Sequence, residues 1–374
     1  MLPEPSPRPH YHQFSHSILS LAILTAAIYL GQDILVPLAM AGLVAVLLRP
    51  VENRLIRLGM HKVFAISLAL LLSIVVLGGL TVVLSMQVSN FTDDLPKLRQ
   101  NLSDLVNDDQ RWVRREYNVS YREQEKYLQK AQTQTLDSLQ STGTLGVITG
   151  PLGTLALVPI YVFLLLFYRS LLLHFVVVLF SENHTGRVRE VLSEIKTVVQ
   201  SYIVGLLIET ACVAALNSVG LLLFGVPYAV LLGIIAAILN LIPYIGGLVA
   251  TVLAVVVTFG NQPDLSVVFG VFGVFLFVQF IDNNVLVPLI VNSKVRVNAL
   301  VSIVGVLVGG ALAGVSGMFL SIPAIAIMKV IFDRVDSLRP WGVLLGDQTP
   351  EQAGSNLFRL RRRKARIIKS HADA

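Results

Sequence analysis

Between Thr197 and Ser293 the chain carries no lysine or arginine, yet it holds three carboxylic acids, Glu209, Asp264 and Asp282. Asp264 follows Gly260-Asn261-Gln262-Pro263, a polar loop in which a solvated surface charge is expected. Glu209 and Asp282 instead sit inside long apolar runs, with no basic residue near either in sequence. A charged side chain at the centre of a bilayer costs ~2.5–3.5 kcal/mol on insertion scales. Such a carboxyl must be neutral, hold a cation, or meet a partner from elsewhere in the chain. Burial disfavours its charged form, so it can take up and release a proton. That is the chemistry of a coupling-ion site.

The polar groups are densest around Asp282. Gln279, Asp282 and Asn283 share one helical face at i, i+3 and i+4, and Asn284 follows. Pro288 frees a backbone carbonyl one turn earlier, near Asn284. Carboxylate and amide oxygens are hard ligands, suited to a proton, to Na⁺ held transiently at Asp282, or to a polyhydroxylated solute. The competing reading is structural, with the same groups satisfying backbone that Gly and Pro interrupt. No His-Glu-x-x-His, Gly-x-Ser-x-Gly or Walker loop occurs, and the seven histidines are scattered. Enzymatic chemistry, a resident metal, a cofactor and ATP-driven pumping are therefore not expected.

The composition says what must position these residues. Of 374 residues 54% are hydrophobic and 14% charged, with a mean hydropathy of +0.72. A soluble domain carries ~25% charged residues, so the chain reads as an integral membrane protein. Apolar runs broken by Gly and Pro, without strict alternation, argue for helices rather than a β-barrel. The net charge of +6 fits positive-inside topology better than nucleic-acid binding. The lone Cys212 excludes a disulfide framework.

The sequence predicts an all-α polytopic membrane protein with about eight transmembrane segments, at 18–48, 63–86, 145–168, 171–180, 201–225, 228–259, 265–290 and 298–332. The first is broken near Asp33 and Pro37, as two short helices or one hairpin. Basic stretches at 49–62 and 169–196, Lys294 with Arg296, and the tail from Arg334 can all lie in the cytoplasm together. Both termini are then cytoplasmic, and the charged stretch 87–142 is outside as two amphipathic helices. The segments 228–259 and 298–332 are too short or too interrupted for pairs of full crossings. Asn240, Pro243, Gly246 and Gly247 break the first, and Gly309, Gly310, Gly314, Gly317 and Pro323 the second. They are expected as two opposed re-entrant helical hairpins, the device by which many secondary transporters build a midplane site.

The resulting organisation is a disordered tail (1–17), a transmembrane scaffold (18–86), extracytoplasmic amphipathic helices (87–142), a span with a cytoplasmic linker (143–200), a transport core (201–332) and a basic cytoplasmic tail (333–374). In that tail Arg359, Arg361, Arg362, Arg363, Lys364 and Arg366 alternate with apolar anchors, a pattern suited to anionic lipid.

The motifs Ser201-Tyr-Ile-Val-Gly205, Gly220-Leu-Leu-Leu-Phe-Gly-Val-Pro-Tyr228, Leu231-Leu-Gly233 and Asn240-Leu-Ile-Pro-Tyr-Ile-Gly246 occur in that order. Asp282-Asn-Asn-Val-Leu-Val-Pro288, Gly309-Gly310, Gly314, Gly317 and Ile322-Pro323 follow. Together they resemble the autoinducer-2 exporter family of PerM-type permeases, closely over 201–332 and loosely over 18–86. The chain departs from the family's usual pattern at Leu206 (often Gln), Gly247 (often Pro) and Asp282 (usually Glu).

The resemblance implies a homo-oligomeric secondary transporter of a prokaryotic inner membrane. Its members export a furanone-type quorum signal or exchange Na⁺(Li⁺) for H⁺. The expectation is export of a small polar solute, coupled to H⁺ or Na⁺ in an elevator-like cycle. Asp282, Asn283, Asn284, Gln279, Glu209, Asn240, Pro243, Gly246, Gly247, Gly309 and Gly310 would form the site. Na⁺(Li⁺)/H⁺ antiport without an organic substrate, and a non-transporting membrane scaffold, are the alternatives.

Overall fold

Uncharged runs of Leu, Ile, Val, Ala and Phe leave a backbone in lipid no solvent to bond, and helix satisfies it internally. The computed structural model describes residues 19, 23, 25–117, 157–180, 185–242, 245–291 and 297–347. Its helices are α1 (Gln32–Arg57), α2 (Lys62–Tyr117), α3 (Leu157–Phe167), α4 (Arg169–Leu179), α5 (Thr185–Leu223), α6 (Ala229–Asn240), α7 (Ile245–Asn261) and α8 (Leu265–Ile281). A π-helical segment, π1 (Asp282–Val291), continues α8, and α9 (Ala299–Arg334) and α10 (Arg339–Leu345) follow. Among the described residues the β structure is one isolated antiparallel bridge, Val297 to Gly346. The tail 1–17, residues 118–142, Pro243, Lys294, Arg296 and the basic cluster Arg359–Arg366 lie outside the described residues.

Among the described residues five helices are long and apolar enough to cross a membrane, six if the pair α3–α4, bent by 66°, forms one span. Large apolar side chains point outward, Phe269 at 70% and Leu248 at 69% exposure, as a lipid-facing surface requires. The chain is thus an all-α, multi-pass membrane protein.

Two expectations about the first half differ from the structure. The first apolar segment is interrupted by a turn at Gly31, close to Asp33, but it does not break at Pro37, because α1 runs through both Pro37 and Pro50. Its N-terminal cap is Gly31, and Asp33 lies in the first turn, where a carboxylate suits the helix dipole. The span 63–86 also does not end before the charged stretch. Helix α2 continues unbroken to Tyr117, and its 56 residues reach roughly 84 Å at ~1.5 Å per residue, far beyond a ~30 Å hydrocarbon core.

Three of the four buried apolar clusters among the described residues show how the bundle is joined. Ala41, Ala45 and Leu48 of α1 pack with Ile66 of α2 and with Val162 and Leu166 of α3. The alanines leave room for α1 to lie close against its neighbours. A second cluster joins Leu221 of α5, Ala229, Leu232 and Ala236 of α6, Ala250 and Ala254 of α7, and Phe275 of α8. The third is the seam between these halves, where Leu43 of α1 meets Val199, Tyr202, Ile203 and Leu206 of α5 and Ala326 of α9.

Both interrupted segments fold back on themselves as helical hairpins. Helices α6 and α7 lie together, and at 12 and 17 residues they reach about 18 and 26 Å. Helix α9 turns at Ala313 and Gly314, where Gly314 has φ +59°, a conformation glycine tolerates and a side chain resists. Beyond that turn Ser321 Oγ donates to the Gly305 carbonyl at 2.8 Å, and a Cβ on Gly317 would run into the Gly309 carbonyl. At the hairpin's base, the Asn298 amide donates to the Leu345 carbonyl at 3.0 Å. Arg334 pairs there with Glu190 at 2.8 Å and Glu194 at 2.7 Å.

Replacing Gly317 with Val should wedge the arms of this hairpin apart and cost about 1–3 kcal/mol. Thermal unfolding of the detergent-purified protein measures it. Gly273→Ala, whose Cβ meets nothing within 4 Å, is the neutral comparison.

Candidate functional site

Glycine decides how near the site-bearing helices come. A Cβ on Gly205 of α5 would meet the Ile290 carbonyl at 2.9 Å, so the bare backbone lets α5 lie directly against π1. One turn beyond Gly205, Glu209 faces Asp282, and the two carboxyl groups are within side-chain hydrogen-bonding reach. Both are buried, at 6% and 3% exposure. Two anionic carboxylates side by side in a low-dielectric interior repel, so the doubly charged form of the pair is disfavoured.

The tip of the first hairpin completes the arrangement. Asn240, the last residue of α6, donates from Nδ2 to Asp282 Oδ2 at 2.9 Å. Gly246 fits beneath the Leu239 carbonyl and Gly247 against Gln279 Oε1, two contacts that a Cβ would obstruct. On α8, Gln279 donates to Asn283 Oδ1 at 3.3 Å, the i to i+4 spacing expected of their shared face. The π geometry then begins at Asp282 and contains Pro288. Widened turns of this kind recur at functional sites.

These groups line one cavity of about 760 Å³. Of the residues singled out in the sequence, Glu209, Asn240, Gly247, Gln279, Asp282 and Asn283 are on its wall. Tyr202, Thr251, Phe272 and Phe275 join them, together with Ser302 and Ile322 from the two arms of α9. A second, water-sized void of about 10 Å³ adjoins it, bounded by Asn217, Asn240, Gln279 and Asp282 among others. Oδ1 of Asn217 and Oδ1 of Asp282 are buried there without a donor.

Four expected site residues are placed elsewhere. Asn284 is exposed and donates to the Phe280 carbonyl at 2.9 Å. Gly246 supports the hairpin turn from behind. Gly309 faces Gly317 and Ser321, and Gly310 faces Met318, so both serve packing between the arms of α9. Asp264 accepts from the Ser266 amide at 2.8 Å and caps α8. Sequence reasoning passed over Tyr202, Asn217 and Thr251. A buried Asn at 217, eight residues beyond Glu209, was the available signal for one of them.

The model of the AI-2E family transporters matches residues 18–337. The chain belongs to that family. It is 27% identical over 308 residues to "Putative transport protein YueF" of Bacillus subtilis, covering 79% of this chain and 82% of YueF. It is 25% identical over 339 residues to the AI-2 transport protein TqsA of Escherichia coli K12, covering 88% and 94%. YhhT of the same strain is 24% identical over 336 residues, with 89% and 94% covered. As a family member the chain is a multi-pass membrane protein of a transporter family.

Asn240→Ala removes the amide donor to Asp282 and should lower stability by about 1–3 kcal/mol. Asn284→Ala removes a local bond at an exposed position and should stay within about 0.5 kcal/mol of the parent. Thermal melts of both variants in the same detergent compare them.

Proposed function

We propose that the chain is a secondary active transporter that exports a small polar solute through the Glu209–Asp282 cavity in exchange for H⁺ or Na⁺. The observation that carries this reading is the pair itself. Two acids from different helices meet on a cavity wall, in a stretch from Thr197 to Ser293 that holds no lysine or arginine. A volume of about 760 Å³ lies within the ~300–1,000 Å³ of small-molecule sites. Its mixed lining of carboxyl, amide, hydroxyl and aromatic groups suits a hydroxylated solute, of which the autoinducer-2 handled by TqsA is the nearest example.

Coupling follows from charge. An unneutralised pair of carboxylates cannot be carried through hydrocarbon cheaply, so the site moves only when a proton, a cation or a solute's donors satisfy it. The moving unit in this proposal is α5 to α9, with the α6–α7 and α9 hairpins as re-entrant elements. It slides along the Leu43–Tyr202–Ala326 seam against α1 to α3. The elevator step rests on analogy with other hairpin transporters.

Exchange of Na⁺(Li⁺) for H⁺ without an organic solute is a second reading, favoured by the small void. Oδ1 of Asn217 and Oδ1 of Asp282 are each buried without a donor, and oxygens of this kind suit a small dehydrated cation.

The test uses proteoliposomes with an imposed pH gradient, reading lumenal pH on addition of Na⁺, Li⁺ or the furanone signal. The expected result is gradient collapse with the organic solute, reduced roughly tenfold or more in Asp282→Asn and Glu209→Gln. Collapse on Na⁺ alone, lost in Asp282→Asn and Asn217→Ala, selects antiport instead. Full coupled flux in a folded Asp282→Asn protein overturns the site.

A further inference from the structure

The second large cavity lies at the end of the bundle where the basic residues collect. It measures about 700 Å³ and is lined by Arg49 of α1, Arg169 at the start of α4, and Arg189 and Lys196 of α5, with His174 beside them. Arg49, Arg169 and Lys196 are half-buried and near enough for their positive charges to act on one another. Among the described residues none of the four cations forms an ion pair with a carboxylate. Glu52 acts on Arg49 from nearby, but it is a single acid. Glu190 and Glu194, on the same helix as Arg189, are both engaged by Arg334. Nε of Arg49 is buried without an acceptor. Three helices thus bring cations together with too little negative charge to balance them.

Part of the lining is hydrocarbon. Leu165, Leu166, Leu173 and Val177 form it, from α3 and α4. Helix α4 bends away from α3 by 66° and turns Leu171, Phe175, Val178 and Leu179 outward, each at 60% exposure or more. A free inorganic anion would use the basic wall and leave the apolar one uncovered. An amphiphile with a phosphate head uses both.

We propose that this cavity binds an anionic phospholipid, with Arg49, Arg169 and Lys196 around its phosphate and its acyl chains against α3 and α4. Guanidinium groups match phosphate oxygens by paired N–H donors, and the ammonium of Lys196 adds a point charge. Basic pockets between transmembrane helices are a recurrent way to hold such headgroups. The lipid bridges the α1–α3 scaffold and α5, so its occupancy sets how those two parts sit. This site is separate from the Glu209–Asp282 cavity and does not rest on the transport reading.

The test is native mass spectrometry of the full chain from mixed micelles containing phosphatidylglycerol or phosphatidylcholine. The parent protein should retain one phosphatidylglycerol in clear preference to phosphatidylcholine. Arg49→Gln/Arg169→Gln should bind it roughly 30-fold more weakly. Arg187→Gln is the comparison, because Arg187 is paired with Asp336 at 3.3 Å and is not on the cavity wall. It should bind as the parent does. If the double variant does not fold by circular dichroism, Lys196→Gln alone should weaken binding about fivefold. Equal retention of phosphatidylglycerol by the parent and the folded variants overturns the proposal. So does a parent protein that holds both lipids alike while inorganic phosphate at millimolar concentration raises its melting temperature; the cavity would then take a soluble phosphate.

Discussion

Two carboxyl groups facing one another inside an apolar helical bundle form the constraint on which the rest of the structure depends. Neither Glu209 nor Asp282 has a lysine or arginine within its own stretch of sequence. Their nearest polar support is neutral: the Asn240 amide on Asp282, with Gln279 alongside. Amide donors stabilise one charge but cannot cancel two. The features around the pair are those that such proximity demands. Gly205 allows α5 to touch π1, Gly247 allows the hairpin tip to reach Gln279, and the π segment places Asp282 at the end of a regular helix. A Cβ at Gly205 would push apart α5 and π1, the two segments that carry the acids.

Glycine does two kinds of work in this fold, and the distinction separates the site from its frame. In α9, Gly305, Gly309 and Gly317 bring one arm of a hairpin against the other, where Ser321 bonds across to Gly305. That contact is internal to one element and leaves little room for a ligand. In α5 and α7, Gly205 and Gly247 bring different elements together around polar side chains and a cavity. Both patterns look alike as sequence, since each is a small residue in an apolar run.

The acids, the polar face of 279–283, the interruption at Asn240–Gly247 and the all-helical membrane class were legible in the sequence because each is local. A charge in an apolar run, an i, i+3, i+4 set and a Gly-Pro break show within a few residues. The pairing of Glu209 with Asp282 was not legible, because it joins positions more than seventy residues apart and depends on how α5 docks. Asn217 was missed for the same reason: a lone Asn in a membrane helix becomes informative only when its oxygen is seen buried without a donor. Gly309 and Gly310 were overread, since a doublet of glycines marks close approach without saying to what. Pro37 was overread too. A proline removes one backbone bond, and α1 packed on two sides by α2 and α3 tolerates the loss.

The distribution of charge gives the architecture its logic. Acids without cations sit at the centre of α5 to π1, and cations with too few acids sit where α1, α4 and α5 meet at the basic end. In each place the unbalanced groups come from separate elements, so each group's energy depends on how far those elements stand apart. Within one rigid helix such an imbalance would be a fixed cost, independent of conformation. Shared between helices, it becomes a force along the coordinate that separates them, repulsive until a counter-ion arrives. A cation at the centre draws α5 and π1 together, and an anion at the edge draws α1 and α4 toward α5. The helix α5 belongs to both places. On the two proposals made for these sites, occupancy of either would bias the position of the same 39-residue helix and link them through its movement as a body.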